Sequence, residues 1–337
     1  MSQIREDPIT GRWVIIAPER NRRPHPAPTS SHPSPSHEKD CPFCEGNEDQ
    51  TPPEEYAVRE KGSEPDKPGW RIRVFPNKFP ALDSSKSSSR HSRGNFCWME
   101  GAGVHEVVVE TPSHAQQMSD LHDSHLQEVL KTYQERIRNI EETSTCHYIQ
   151  VFKNRGELAG ASQSHTHSQI VATPLLSARI KDKIEIAEKF FQETQRCRIC
   201  QIIKQESQEK DRLIQQNQHF CMIAPFASRF AYEMHVYPFR HSAYYREISE
   251  EELKSLSQII KKSISTLKEK LFSPPFILIL NQGPNPRMVW KNWRSIHKSY
   301  HWHIEIFPVL SPLAGFERGT GFYINPVSPE KAAEYFR

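Results

Sequence analysis

The chain has 337 residues, of which 36% are hydrophobic, 25% charged and 10% aromatic, enough for two compact domains or one large one. Its mean hydropathy is −0.71, and its longest strongly apolar run, at 276–280, falls far short of the ~20 residues a membrane helix needs, which excludes a transmembrane role. With 44 basic and 41 acidic side chains the formal charge is only +3, so bulk charge makes no case for nucleic-acid binding. The opening MSQIREDPIT has no apolar h-region, and a cytoplasmic location is expected.

In chain order, the first predicted element is a strand at 13–17, followed by a loop over 23–40 rich in Pro, Ser and His. Strands are predicted at 71–75, 105–110, 148–152 and 169–172, with the polar run SSKSSSRHSR at 84–93 as a second loop. Leu126, Leu130, Tyr133, Ile137 and Ile140 recur at helical spacing. Ser124 and Gln127 stand at capping-box spacing before them. A charged helix is expected over 178–195. A second strand set follows at 220–224, 233–237, 276–280 and 301–307. It is interrupted by a helix carrying Leu253, Leu256, Ile260, Ile264, Leu267 and Leu271, with Ser249 and Glu252 as its capping box. Strands in series with one long helix between them predict an α+β fold, a mainly antiparallel sheet with packed helices.

The same order of parts occurs twice. Each half runs C-x-x-C, strand, lone histidine after a strand, long helix, strand, then H-x-H leading into a strand. The loops differ in length while the order holds, as in a duplicated unit. The halves divide at 1–176 and 177–337.

Seven cysteines and no secretory signal argue against a disulfide framework. Four of them form the pairs Cys41/Cys44 and Cys197/Cys200. A thioredoxin-like redox site needs one pair near a βαβ unit, whereas two thiolates on a tight turn suit zinc. Position in the repeat adds two histidines to each pair. The first set is Cys41, Cys44, His114 and His165; the second is Cys197, Cys200, His241 and His301. Four protein ligands leave no open position, so both zinc sites read as structural. Cys97, Cys146 and Cys221 read as buried thiols.

The segment NRGELAGASQSHTHSQ at 154–169 sets small and polar residues before two histidines. Such a loop can turn N–H groups and hydroxyls toward an anion. Neutral imidazole attacks phosphorus without prior deprotonation, forming a phosphoramidate at Nε2. A glutamine two residues on can hydrogen-bond a phosphoryl oxygen from the same strand face. The competing reading is a zinc-supporting strand with no chemistry.

The motifs REDPITGRWV at 5–14, APERNRRP at 17–24, CPFC at 41–44, VFPNKFPAL at 74–82, HTHSQ at 165–169, HWHIEI at 301–306 and GFERGTGFYINP at 315–326 span nearly the whole chain. In these the chain resembles the galactose-1-phosphate uridylyltransferase family of the histidine-triad superfamily. The resemblance implies ping-pong nucleotidyl transfer, with His167 as nucleophile, His165 as zinc ligand and Gln169 steadying the transferred phosphate. It implies phosphate contacts from Arg20, Arg23 and Ser162, and nucleoside and phosphate contacts from Asn77 and Asn154. Thr320, Gly321, Tyr323 and Asn325 fall in the segment that meets the hexose phosphate, often across a dimer interface. The implied fold is two histidine-triad-like halves forming an antiparallel half-barrel. The implied reaction moves UMP from UDP-glucose to galactose 1-phosphate in a homodimer, within galactose metabolism.

Thr166 departs from the proline usual between the family's histidines. A plant branch, ADP-glucose:phosphate adenylyltransferase, also lacks that proline and has a second C-x-x-C zinc site, so AMP transfer from ADP-glucose to phosphate is the near alternative. A non-catalytic, zinc-stabilised nucleotide-binding module is the alternative of another class. A zinc-dependent nucleic-acid binder is disfavoured by the balanced charge.

Overall fold

The computed structural model describes residues 2–22, 41–288 and 293–337. The 23–40 loop, with Arg23, lies outside the described residues. The strands are β1 (Gln3–Glu6), β2 (Trp13–Ile16), β3 (Tyr56–Arg59), β4 (Trp70–Pro76), β5 (Arg90–Arg93), β6 (Phe96–Met99), β7 (Val104–Val109), β8 (Tyr148–Arg155), β9 (His167–Thr173), β10 (Leu213–Gln216), β11 (Phe220–Ile223), β12 (Met234–Pro238), β13 (Phe276–Asn281), β14 (His303–Pro308) and β15 (Tyr323–Asn325). The helices are α1 (Asp123–Thr143), α2 (Ala178–Thr194), α3 (Arg198–Glu209), α4 (Glu250–Lys270), α5 (Ile296–Ser299), α6 (Gly315–Thr320) and α7 (Pro329–Phe336).

One ten-stranded sheet runs β10-β11-β12-β14-β13-β8-β9-β7-β4-β3. Every neighbouring pair in it is antiparallel. Counted from either edge, the strands follow the same sequence of first, second, third, fifth and fourth. The two fourth strands, β8 and β13, pair at the centre. The repeated order of parts is thus realised as two matching halves of one sheet, and the fold is α+β.

The apolar alternation of the strands feeds one core. Val151, Ile170, Leu278 and Ile306 of the sheet share a buried cluster with Leu126, Tyr133 and Ile137 of α1 and with Leu253, Ile260 and Leu267 of α4. The two long helices also pack on each other. Ser249 and Glu252 form the expected capping box of α4. At α1 the outcome differs. The cap is His122, whose side chain accepts from Ser124 N–H, and Ser124 is already inside the first turn. Histidine at that place offers an Nδ1 acceptor as a Ser hydroxyl would.

The predicted loop at 84–93 ends in a strand, because β5 pairs with β6 in a two-stranded hairpin. Its side chains are exposed, so no apolar pattern marks it. Cys97 sits exposed on this hairpin and is not a buried thiol, unlike Cys146 and Cys221. A separate three-stranded sheet joins β1, β2 and β15, with β15 parallel to β2. Among the described residues, no helix is long and apolar enough to cross a membrane.

Candidate active site and metal groups

The site lies on the sheet face opposite α1 and α4. Alternation puts His167, Gln169 and Val171 of β9 on one side. The register sets Val109 opposite His167, Val107 opposite Gln169 and His105 opposite Val171. Phe152 of β8 stands opposite Gln169, and Asn154 follows two residues on, on the same face. Asn77 leaves the end of β4, where its N–H donates to the His105 carbonyl at 2.8 Å. Ser162 is exposed in the loop before β9. That loop approaches Asn154 closely: Gly160 has φ +87°, and a Cβ there would lie 3.5 Å from Asn154 Nδ2.

His167 is 6% exposed. Its Nδ1 donates to the His165 carbonyl at 2.8 Å, which fixes the proton on Nδ1 and leaves the lone pair on Nε2. Burial first, then the Lys153 ammonium, holds its pKa below the ordinary imidazole range. The Phe43 ring packs edge-on against His167, with centroids 5.3 Å apart, so the knuckle between Cys41 and Cys44 touches the candidate nucleophile.

Behind the histidine pair is a fully buried polar cluster that sequence reasoning missed. Lys153 Nζ donates to Glu110 Oε2 at 2.8 Å, to Thr166 Oγ1 at 2.8 Å and to the His167 carbonyl at 3.0 Å. Thr166 Oγ1 donates to Glu110 Oε2 at 2.5 Å. Ser168 also donates to Glu110. Burial alone would raise the Glu110 pKa, but the Lys153 charge and these donors hold it below its usual value. The only sequence signal was an acid and a base in phase with apolar strand residues.

Cys41, Cys44, His114 and His165 bring their donor atoms within 4.8 Å of one another, as do Cys197, Cys200, His241 and His301. In both groups the thiols face imidazole Nδ1 atoms at 3.4 to 3.8 Å. Tetrahedral zinc bonds would set sulfur and nitrogen about 3.5 Å apart. His165 Nε2 donates to the Thr111 carbonyl at 2.7 Å, His301 Nε2 to the Pro238 carbonyl at 3.1 Å and His241 Nε2 to the His297 carbonyl at 3.1 Å. His114 Nε2 pairs with Ser164 Oγ at 3.2 Å. Engaging Nε2 in this way leaves Nδ1 as the ligating atom. Each group can hold a metal, and its donor chemistry fits zinc.

In the second half His303 repeats the geometry of His167. Its Nδ1 donates to the His301 carbonyl at 3.1 Å, but it is 1% exposed among Glu305, His235 and Tyr237. Glu233, His235 and Glu305 also converge. Their carboxylates are already paired, with Arg229 on both and Lys183 on Glu305, so this group reads as an ion-pair network.

The remaining expected residues form a second group, on the small sheet. Arg20 follows β2 in a short 3-10 turn, and Ala17 N–H donates to the Asn325 carbonyl at 2.8 Å. Thr320 closes α6, and Gly321 caps it at φ +75°. Tyr323 packs on Phe230. Asn325 is fully buried, and its amide donates to the Ser228 and Phe230 carbonyls. The bonds described for these residues run to their own sheet and its supports, not to the His167 face.

A sheet of two matching halves, with a histidine pair leading into the fifth strand of the first, is the fold of histidine-triad nucleotidyltransferases. The chain belongs to the galactose-1-phosphate uridylyltransferase family and is an enzyme of that class. Residues 1–177 match the family described as "Galactose-1-phosphate uridyl transferase, N-terminal domain", and 102–273 also match a domain of unknown function. The chain is 35% identical to ADP-glucose phosphorylase of Arabidopsis thaliana, covering 99% of this chain and 92% of that protein. It is 31% identical to galactose-1-phosphate uridylyltransferase of Thermotoga maritima, covering 100% and 98%. The crystal structure of the Arabidopsis ADP-glucose phosphorylase with bound ADP-glucose superposes with a TM-score of 0.85 at 33% identity, covering 100% of this chain and 98% of that one. A uridylyltransferase structure superposes with a TM-score of 0.74 at 27% identity, covering 100% and 97%.

Proposed function

We propose that this enzyme moves UMP from UDP-glucose to galactose 1-phosphate through a covalent nucleotidyl group on His167. The observation that carries the reading is the Nδ1 bond from His167 to the His165 carbonyl, which leaves Nε2 free to attack. In the first half-reaction an Nε2–P bond forms and the bond from that phosphorus to the glucose 1-phosphate oxygen breaks. The imidazole becomes cationic as it is nucleotidylated, and the carbonyl at Nδ1 offsets that charge. In the second half-reaction the phosphate of galactose 1-phosphate attacks the same phosphorus and frees the histidine. Gln169, Ser162 and Asn154 are proposed contacts of the transferred nucleotide, with Arg20 and Arg23 meeting phosphate charge.

Zinc in the two Cys2His2 groups is proposed as structural. In the first group it would tie the Cys41–Cys44 knuckle to the residue two places before the nucleophile. We further propose 1–176 and 177–337 as the duplicated units, a cytoplasmic location, and a homodimer. Placement of Arg20 and the 320–325 segment on a separate sheet supports a site completed by a second copy.

A second reading keeps the histidine and transfers AMP from ADP-glucose to phosphate. The higher identity to the Arabidopsis enzyme and its TM-score of 0.85 favour it, while the uridylyltransferase relative at 98% coverage and the family match favour the first. Exchange of labelled glucose 1-phosphate into nucleotide sugar, with no second acceptor, tests both. Exchange with UDP-glucose supports the first reading, exchange confined to ADP-glucose the second, and no exchange with either contradicts a covalent mechanism.

A further inference from the structure

His105 is a histidine with no place in the reaction described so far. It sits on β7, opposite Val171 and in phase with Val107 and Val109, on the same face as His167 and Gln169. Its Nδ1 accepts the backbone N–H of Ala81 at 3.1 Å. A ring nitrogen that accepts carries no proton, so the proton of the neutral ring is on Nε2. That nitrogen lies 2.8 Å from Gln169 Oε1. The His105 N–H therefore donates to the amide oxygen of Gln169.

This bond decides which end of the Gln169 amide faces the substrate. The oxygen is taken by His105, so the NH2 group is the end left to the rest of the site. An amide turned the other way would set its NH2 against the Nε2–H, donor against donor. It would also present an oxygen to the negative phosphoryl oxygens. Asn77 reinforces the arrangement. Its Oδ1 accepts from Phe79 N–H at 2.9 Å and its backbone N–H donates to the His105 carbonyl at 2.8 Å. Its Nδ2, 3.2 Å from His105 Nε2, is itself a donor and takes no bond from the Nε2–H, which leaves Gln169 Oε1 as the acceptor of that proton. The turn from Asn77 to Ala81 thus wraps the imidazole and fixes its tautomer.

We infer that His105 is a positioning residue, which holds the Gln169 carboxamide with its nitrogen toward the transferred phosphoryl group. The inference rests on the proposed reaction at His167 and adds to it the group that orients its phosphate donor. It also links the Asn77 turn, a proposed nucleoside contact, to the phosphate contact by a single ring.

The test uses the two amide side chains that each reproduce one ring nitrogen. Glutamine at this position places its NH2 near Nε2, and asparagine places its oxygen near Nδ1. His105→Gln keeps the donor to Gln169 and loses the acceptor for Ala81; His105→Asn does the reverse. The single-turnover rate of nucleotidyl-enzyme formation, at saturating UDP-glucose or ADP-glucose, is read beside the nucleotide dissociation constant and Tm. His105→Asn is expected to slow the step tenfold or more with little change in nucleotide affinity, while His105→Gln stays within a few-fold of the unsubstituted enzyme. In a Gln169→Leu background His105→Asn is expected to add no further loss. A purely structural role in holding the Ala81 turn predicts the opposite order, with asparagine tolerated and glutamine damaging. That order, or equal losses from both variants, overturns the inference. Failure of the unsubstituted enzyme to form any adduct overturns the His167 reading itself and this inference with it. An adduct whose rate ignores His105→Asn overturns the inference alone.

Discussion

Lys153 Nζ donates to the backbone carbonyl of His167 at 3.0 Å, so a buried cation on β8 grips the peptide that carries the proposed nucleophile. The same ammonium holds Thr166 and Glu110, and all three of its protons are used. Thr166 stands between the two histidines of the H-x-H segment. Its hydroxyl, bonded to both members of the ion pair, restrains the H-x-H segment by hydrogen bonds rather than by a fixed φ. Lys153→Met would leave Glu110, 0% exposed, as an unpaired buried charge, at a cost of about 3–5 kcal/mol. Urea unfolding at neutral pH checks this, and a loss under about 1 kcal/mol would show the pair to be dispensable.

Metal removal is predicted to destabilise the fold, because an ion bound only by the folded state adds its binding energy to stability. Metal analysis should find two zinc ions per chain, and Cys200→Ser should lower that to one. Stripping both should lower Tm by roughly 5 °C or more. An unchanged Tm after verified removal speaks against the structural role.

The split of the expected site residues between two sheets predicts complementation between subunits. If the site is completed by a second copy, inactive His167→Ala mixed with an inactive variant in the 320–325 segment, such as Tyr323→Ala, should recover part of the activity. The mixed dimer contains one site with both native groups. No recovery in a mixture shown to exchange subunits would place both groups in one chain.

Glu141, near the end of α1, is 3% exposed and meets Arg246 Nη1 at 3.2 Å. Burial raises its pKa to about 7 against the opposing pull of Arg246 and Arg287. The folded state then holds a proton that the unfolded chain has released, so this group's contribution is present below its ordinary value of 4.5 and is lost as pH rises through about 7. Glu141→Gln, which mimics the protonated form, should raise Tm at pH 8 relative to the unsubstituted protein and change it little at pH 4. A lower Tm at pH 8 would mean that the Arg246 pairing outweighs burial.

Much of the fold was legible in the sequence, because the elements that carry the core repeat at their own periods. The apolar spacing of Leu126 to Ile140 and of Leu253 to Leu267 gave both long helices, and the alternating strands gave the central sheet. Position in the repeat picked out both Cys2His2 groups from 17 histidines. Elements without an apolar stripe were missed. The β5–β6 hairpin is exposed; α3 does carry apolar residues, Ile199 and Ile203, but it starts one residue after Cys197 and its first turn coincides with the second C-x-x-C pair. Polar contacts across strands left no local trace. His105 and Gln169 lie 64 residues apart, and Lys153 and Glu110 lie 43 apart. Only the register of β7, β8 and β9 brings these pairs together.

The central claim is a covalent nucleotidyl-His167, and intact-protein mass tests it most directly. The enzyme is incubated with UDP-glucose or ADP-glucose in separate reactions without acceptor, beside His167→Ala. The account predicts one acid-labile UMP adduct that is absent in the variant; an AMP adduct instead keeps the mechanism and selects the second reading. Nucleotide binding with no adduct from either sugar, or an adduct that persists in His167→Ala, would contradict it.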